Sequence, residues 1–177
     1  MEQKVNAWKT NLNNGLILGL AGIVYSLIIY FLDLYLNKSQ GYVFIVVQIA
    51  LLYFLLRSYR DNFMHGQITY GQSVGAGVII CLYYAIIMAI FSYILNAIID
   101  PGLVAKQLAA AEEGMMKKGL PQATIDTGMA FTAKIMKPAI MSISSLFFSL
   151  FWGTILSLIV SIFIKKEGNP LIDVPEN

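Results

Sequence analysis

Four apolar runs separated by polar connectors, over residues 15–36, 42–56, 72–99 and 138–164, restrict this chain more than any other feature. A helix that crosses hydrocarbon needs about 20 mostly apolar residues, because each adds roughly 1.5 Å of rise. The second run is short, but the arginine that follows it extends the span to about residue 58 by snorkelling its head to the interface. With 58% hydrophobic and 12% charged residues, and a mean hydropathy of +0.69, the chain departs from soluble domains, which carry about 25% charge. The expected fold is all-α and integral to the membrane, a single domain over 1–177 with four transmembrane helices. Lys4 and Lys9 before the first run mimic a secretory signal. No small-residue cleavage pattern follows, so an uncleaved first span is expected. The short connector at Asn37 and Lys38 makes the first two spans antiparallel neighbours.

The long connector, 100–137, has helical signals of its own. Asp100 and Pro101 form an N-cap and first-turn pair. Leu103, Leu108, Met115 and Met116 then share a face, with Lys106, Glu112, Glu113, Lys117 and Lys118 on the polar side. Gly119, Leu120 and Pro121 break that helix, and a second starts at Gln122 with Ile125 and Met129 one turn apart. The expectation is an amphipathic helical hairpin between the third and fourth spans, lying on the membrane or capping the bundle. Its mixed Lys and Glu residues favour the cap over an anionic lipid surface. The polar tail over 167–177, with Pro170 and Pro175, reads as disordered.

Charge and cysteine usage exclude several classes. The net charge of +2 is spread over the connectors without the basic stripe that nucleic acid requires. Cys81, the single cysteine, has no partner for a disulfide or a CxxC site and reads as a small buried side chain. Four spans place both termini and the connector after the second span on one side. Lys4, Lys9, Arg57, Arg60, Lys165 and Lys166 fall there, against Lys38, Lys106, Lys117, Lys118, Lys134 and Lys137 opposite. The first span breaks the tie, with two lysines before it and one after, so cytoplasmic termini are expected.

Ser145, Ser149, Gly153, Ser157 and Ser161 recur every four residues in the last run. Small residues let helix backbones approach closely where lipid removes the hydrophobic drive. Gly15, Gly19 and Gly22, and Gly71, Gly75 and Gly77, are the matching candidates on other helices. The seam serves bundle packing, or alternatively a homo-oligomer. Asp33, at the end of the first span, reads as interfacial, and mid-span Gln48 as an interhelical hydrogen-bonding group. A transport pathway requires these two, Asn96 and the serines to converge on one wet cavity. Residues 71–75, GQSVG, match the letters of a nucleophile elbow, yet they open a membrane helix with no strand before it. His65 lacks a second histidine or cysteine for a metal site. No catalytic, cofactor-binding or metal-ligating set is identified.

The stretch 57–71, RSYRDNFMHGQITYG, holds both arginines and the single histidine. Arg57, Arg60 and Asp61 can share a helical face, and with His65 they make a candidate contact for a partner or lipid headgroups. YRDNFMHGQITYGQSVGAG, over 59–77, resembles the signature of a bacterial membrane family catalogued as domain of unknown function 4199, and Asp100-Pro101 also fits. The resemblance covers the four-span layout and implies a small inner-membrane protein. It carries no activity. It also hints at a polyprenyl-phosphate glycosyltransferase as a partner in lipid-linked sugar metabolism. The expected function is a non-enzymatic scaffold or accessory subunit, ahead of a component of a small-solute or ion transporter and of a headgroup-directed membrane enzyme.

Overall fold

The computed structural model describes residues 6–37 and 39–167. Lys4, Lys38 and the tail from 168 onward lie outside them. The helices are α1 (Ala7–Phe31), α2 (Ser39–Phe63), α3 (Tyr70–Ile94), α4 (Gly102–Lys117), α5 (Gln122–Ile135) and α6 (Pro138–Ile164), with one turn of π-helix (Leu95–Ile99) closing α3. α1, α2, α3 with its π turn, and α6 are each long and apolar enough to cross a membrane. Among the described residues the sole β feature is an isolated bridge between Ile68 and Lys166.

Local chemistry sets the boundaries. Asn6 caps α1 by accepting from the Trp8 and Lys9 amides at 3.1 and 3.3 Å, so the helix starts ahead of the apolar run. It stops at a left-handed residue, Asp33 with φ 53°. There the Leu34 amide reaches back to the Ile29 carbonyl at 2.9 Å. Thr69 and Gln72 form a capping box at the start of α3. Pro138 opens α6, where its missing amide proton costs nothing. Helix α2 runs on to Phe63, past the expected end near residue 58, because its polar last turns have partners of their own.

α3 is the centre of the bundle, packed against α6 on one flank and α1 on another. Its contact with α6 is an antiparallel seam of small residues, one rung per four residues. Ser73 Oγ donates to Ser161 Oγ at 2.9 Å. A Cβ on Gly77 would lie 2.7 Å from Ser157 Oγ, and one on Gly153 would lie 2.6 Å from Cys81 Cβ. Nearer the far end, the Ser142 hydroxyl donates to the Ala89 carbonyl at 2.7 Å. Helix α1 approaches α3 in the same manner, with Gly15 against Tyr83, Gly19 against Ile87 and Gly22 against Met88 and Tyr84. The expected partners Gly71 and Gly75 take no part, since a Cβ on either meets nothing within 4 Å. Each lies two residues off the α3 stripe, on a different face of the helix.

Outward, α6 presents Phe147, Phe148, Phe151 and Phe163, each 65–70% exposed. A row of bare aromatics is at rest only in hydrocarbon. α4 and α5 pack on each other, with Met115 against Gly128, and α4 also touches the π turn. Leu103 and Ile125 are buried as expected, whereas Met116 is 51% exposed and does not share their face. Asp100 does not cap α4 with its side chain. Its carboxylate instead accepts from the Tyr30 hydroxyl at 3.2 Å.

Replacing Gly153 or Gly77 with Leu forces the α3–α6 backbones apart and should lower stability by about 1–3 kcal/mol. Gly75→Leu should stay within about 0.5 kcal/mol of wild type. Thermal unfolding of the three variants in one detergent checks this, and equal losses for Gly75 and Gly153 would refute the assigned seam.

Candidate functional site

At the end carrying the α2–α3 connector, the expected contact residues separate into different roles. Arg60 is largely buried: its Nε donates to Asp61 Oδ1 at 2.8 Å and its Nη1 to the Ile164 carbonyl at 3.1 Å. That second bond satisfies a carbonyl left free at the end of α6 and ties α2 to α6. The Ile68–Lys166 bridge, with bonds of 2.9 and 3.0 Å, ties the α2–α3 connector to the segment after α6 beside it. Arg57 is exposed, 3.7 Å from the other Asp61 oxygen. His65 occupies a left-handed turn with φ 52°, followed by Gly66 at φ 78°. It faces solvent. Among the described residues no group of His, Cys, Asp and Glu gathers as a metal site. The proposed contact face therefore reduces to Arg57, Asp61 and His65, because Arg60 is committed to the α6 terminus.

The opposite end is hollow. Tyr35, in the α1–α2 connector, stands where three spaces meet. The first, about 190 Å³ between α1, α3 and α6, is lined by Ser26, Ser92, Ser145 and Ser149, with Tyr84 and Met88. Two rungs of the α6 ladder thus face a cavity while the other three close the seam. The second, about 310 Å³ between α1 and α2, has an aromatic wall in which ring centroids lie 4.9 Å apart for Tyr25 and Phe44 and 6.2 Å for Phe44 and Tyr84. The Tyr25 hydroxyl donates to the Gln40 carbonyl at 2.8 Å at its rim. The third, about 510 Å³, lies between the connector and α4, where Ala110, Ala111 and Gly114 leave room beside Gln107.

Two buried polar atoms at this end lack a hydrogen-bond partner among the described residues, Asn96 Oδ1 and Gln107 Nε2. Asn96 sits in the π turn, and its Nδ2 donates to the Ser92 carbonyl at 2.9 Å, leaving the oxygen spare. Such turns recur at functional sites. Burial raises the pKa of the Tyr35 phenol, with the neighbouring Asn96 amide offsetting part of that rise. The hydroxyl is therefore a neutral donor and acceptor at physiological pH.

A protein-family model described as a protein of unknown function, DUF4199, matches residues 13–166. The chain belongs to the DUF4199 family. The matched region takes in most of α1 and the rest of the bundle through to the Lys166 bridge, so both ends described above lie within it. No curated protein and no solved structure matches the chain.

In this DUF4199 protein the polar residues singled out from sequence do not converge. Asp33 is exposed in the connector beyond α1, as its interfacial reading requires. Gln48 is 4% exposed on α2 and makes no side-chain hydrogen bond to another described residue, contrary to expectation. Of the polar residues named from sequence, only Ser145 and Ser149 line a hollow at that end. Sequence reasoning missed Ser26, Tyr35 and Ser92 there, since single polar residues in apolar runs carry no spacing signal, and Gln107, one polar residue among many in the long connector. It also missed Asn11, fully buried and bonded to the Ala7 carbonyl at 3.0 Å. Of the α3 stripe Ser73, Gly77, Cys81, Ala85 and Ala89, only Gly77 was picked out from the sequence, because Gly71 and Gly75 drew the reading to the wrong face.

Arg60→Ala should lower stability by about 1 kcal/mol, through loss of the α6 cap, while Arg57→Ala leaves it unchanged. His65→Gly should raise it by about 1 kcal/mol by relieving the left-handed backbone. Chemical unfolding of the three variants decides both expectations. A destabilised His65→Gly protein would show that the side chain, not the turn, matters.

Proposed function

We propose that this DUF4199 protein is a non-enzymatic scaffold or accessory subunit of the bacterial inner membrane, with its termini and the Arg57 connector in the cytoplasm. The observation that carries the reading is the tight small-residue seam. From Ser73–Ser161 to Cys81–Gly153 the two helices close on each other through glycines and small side chains, which supports a rigid body rather than a conduit. A transporter is less well supported, because among the described residues Asp33, Gln48 and Asn96 share no lined cavity and Gly153 against Cys81 closes the α6 serine row between its two ends. An enzyme acting on headgroups finds less support because Arg60, the buried member of the basic pair, is held by the α6 carbonyl.

The seam faces inward, so self-association would use another surface. The α4–α5 pair, read as an amphipathic hairpin, turns Met116, Phe131 and Ile135 outward, which suits the headgroup boundary of the bilayer. Exposed Arg57 and His65 suit a cytoplasmic or membrane partner. The family resemblance makes a polyprenyl-phosphate glycosyltransferase the first candidate.

Purification from native membranes in mild detergent should recover a stoichiometric partner that Arg57→Ala weakens at least threefold, with insertion unchanged. Solute or ion flux through proteoliposomes of the purified protein alone would overturn the scaffold assignment, as would an external reading from a reporter fused to Asn177 for the orientation.

A further inference from the structure

Beside the Arg60 cap, a hollow of about 430 Å³ opens between the α2–α3 connector and the segment after α6, within the range of small-molecule sites, roughly 300–1,000 Å³. Backbone hydrogen bonds hold its walls. Ile68 and Lys166 exchange bonds of 2.9 and 3.0 Å, and the Gly66 and Gln67 amides donate to the Arg60 and Met64 carbonyls, both at 3.0 Å. Met64 and the buried Ile68 supply its apolar lining. Its charges are one of each sign, Lys166 and Glu167, and among the described residues neither stands in an ion pair. Neutral donors line the hollow with them. The His65 ring offers an N–H in either protonation state. Gln72 accepts from the Thr69 amide through Oε1 at 3.0 Å, which leaves its Nε2 hydrogens to give. The hollow lies where three spanning helices end, at Phe63, Tyr70 and Ile164, the depth of the lipid headgroups. Phe63 and Phe163, 43% and 70% exposed, stand bare at those ends, as they can beside acyl chains.

We propose that this hollow binds the zwitterionic head of a phospholipid with a primary amine, of the phosphatidylethanolamine type. The phosphate lies against Lys166 and takes hydrogen bonds from His65 and Gln72, while the ammonium lies against Glu167. One cation and one carboxylate on the protein answer one anion and one cation on the lipid. An anionic head without an amine is disfavoured, because it leaves Glu167 facing like charge. A choline head is disfavoured for a different reason. Its methyl groups cannot donate to a carboxylate, quaternary ammonium is recognised by aromatic faces, and among the described residues no Phe, Tyr or Trp lines the hollow. The bare Phe63 and Phe163 favour a lipid over a soluble phosphoethanolamine ester, since they give acyl chains a surface to lie on. The inference does not rest on the scaffold reading. Bound lipid reports this site and co-purification reports the partner, so each can fail alone.

Native mass spectrometry of the full chain in mild detergent, titrated with dioleoyl lipids that differ only in their heads, provides the test. One phosphatidylethanolamine should bind about fivefold tighter than phosphatidylcholine or phosphatidylglycerol, the worth of one exposed ion pair. Glu167→Gln should bring the preference over phosphatidylcholine to about one. Lys166→Gln should weaken all three lipids about fivefold, because each carries the phosphate, and it leaves the backbone bridge to Ile68 in place. Lys165→Gln, which removes an exposed charge that does not line the hollow, should change nothing. All three side chains are exposed, so thermal stability without lipid should hold. Equal affinity for the three lipids, an unchanged preference in Glu167→Gln, or the same loss in Lys165→Gln as in Lys166→Gln would overturn the site. Displacement of bound lipid by an equal concentration of O-phosphoethanolamine would overturn its assignment to a lipid.

Discussion

The near-contact of the α3 and α6 backbones is the interaction on which the rest of this bundle depends. Inside a bilayer, burying a leucine gains nothing over leaving it in acyl chains, so helices associate through dispersion and hydrogen bonds at short range. Short range requires small side chains on both helices at once. Ser73, Gly77 and Cys81 meet Ser161, Ser157 and Gly153 as equals, and the match fixes both register and direction. Once α6 is registered on α3, its terminus falls beside Arg60, and the carbonyl of Ile164 receives that guanidinium. The cap is a consequence of the seam. α1 repeats the device on another flank of α3 with three glycines against larger side chains, so α3 is held from two directions.

The bundle is asymmetric along its axis for the same reason. Where the rungs are Gly and Ser against Ser and Cys, the helices touch. Where α6 continues with Ser149 and Ser145, the facing surface includes Tyr84, Met88 and Phe91, and the space between α1, α3 and α6 stays open. The π turn at Leu95–Ile99 then redirects the chain into α4, with Asp100 held by Tyr30 rather than spent on a cap. One end is thus tied by the Arg60–Ile164 and Ile68–Lys166 hydrogen bonds beside a space of about 430 Å³, and the other holds three hollows that share Tyr35 in their walls. The membrane-facing surface between them is bare and aromatic.

Much of the fold was legible because the relevant signals are local. Run length and apolarity predict the spanning helices. Gly119 marks the end of α4 through its left-handed backbone, φ +68°. Ser157 and Gly153 announce a packing face by spacing alone. Gly71 and Gly75 looked equivalent to Gly77, yet they point elsewhere, because only the helix phase relative to α6 distinguishes them. Arg60 and Arg57 were likewise indistinguishable as sequence. Their separation into a buried cap and an exposed charge depends on where Ile164 ends, more than a hundred positions away in the chain.

The hollow end was the least legible part. Tyr35, Ser92, Asn96 and Gln107 come from three different segments, and none belongs to a motif. The sequence by itself determined that this chain is a membrane bundle of four spanning helices, because the hydrocarbon thickness and the cost of exposed backbone leave no alternative for runs of that length. Only the tertiary structure decided which small residues close the seam and which line a cavity. Side-chain spacing encodes a face, whereas the neighbour on that face is chosen by the packing of the whole bundle.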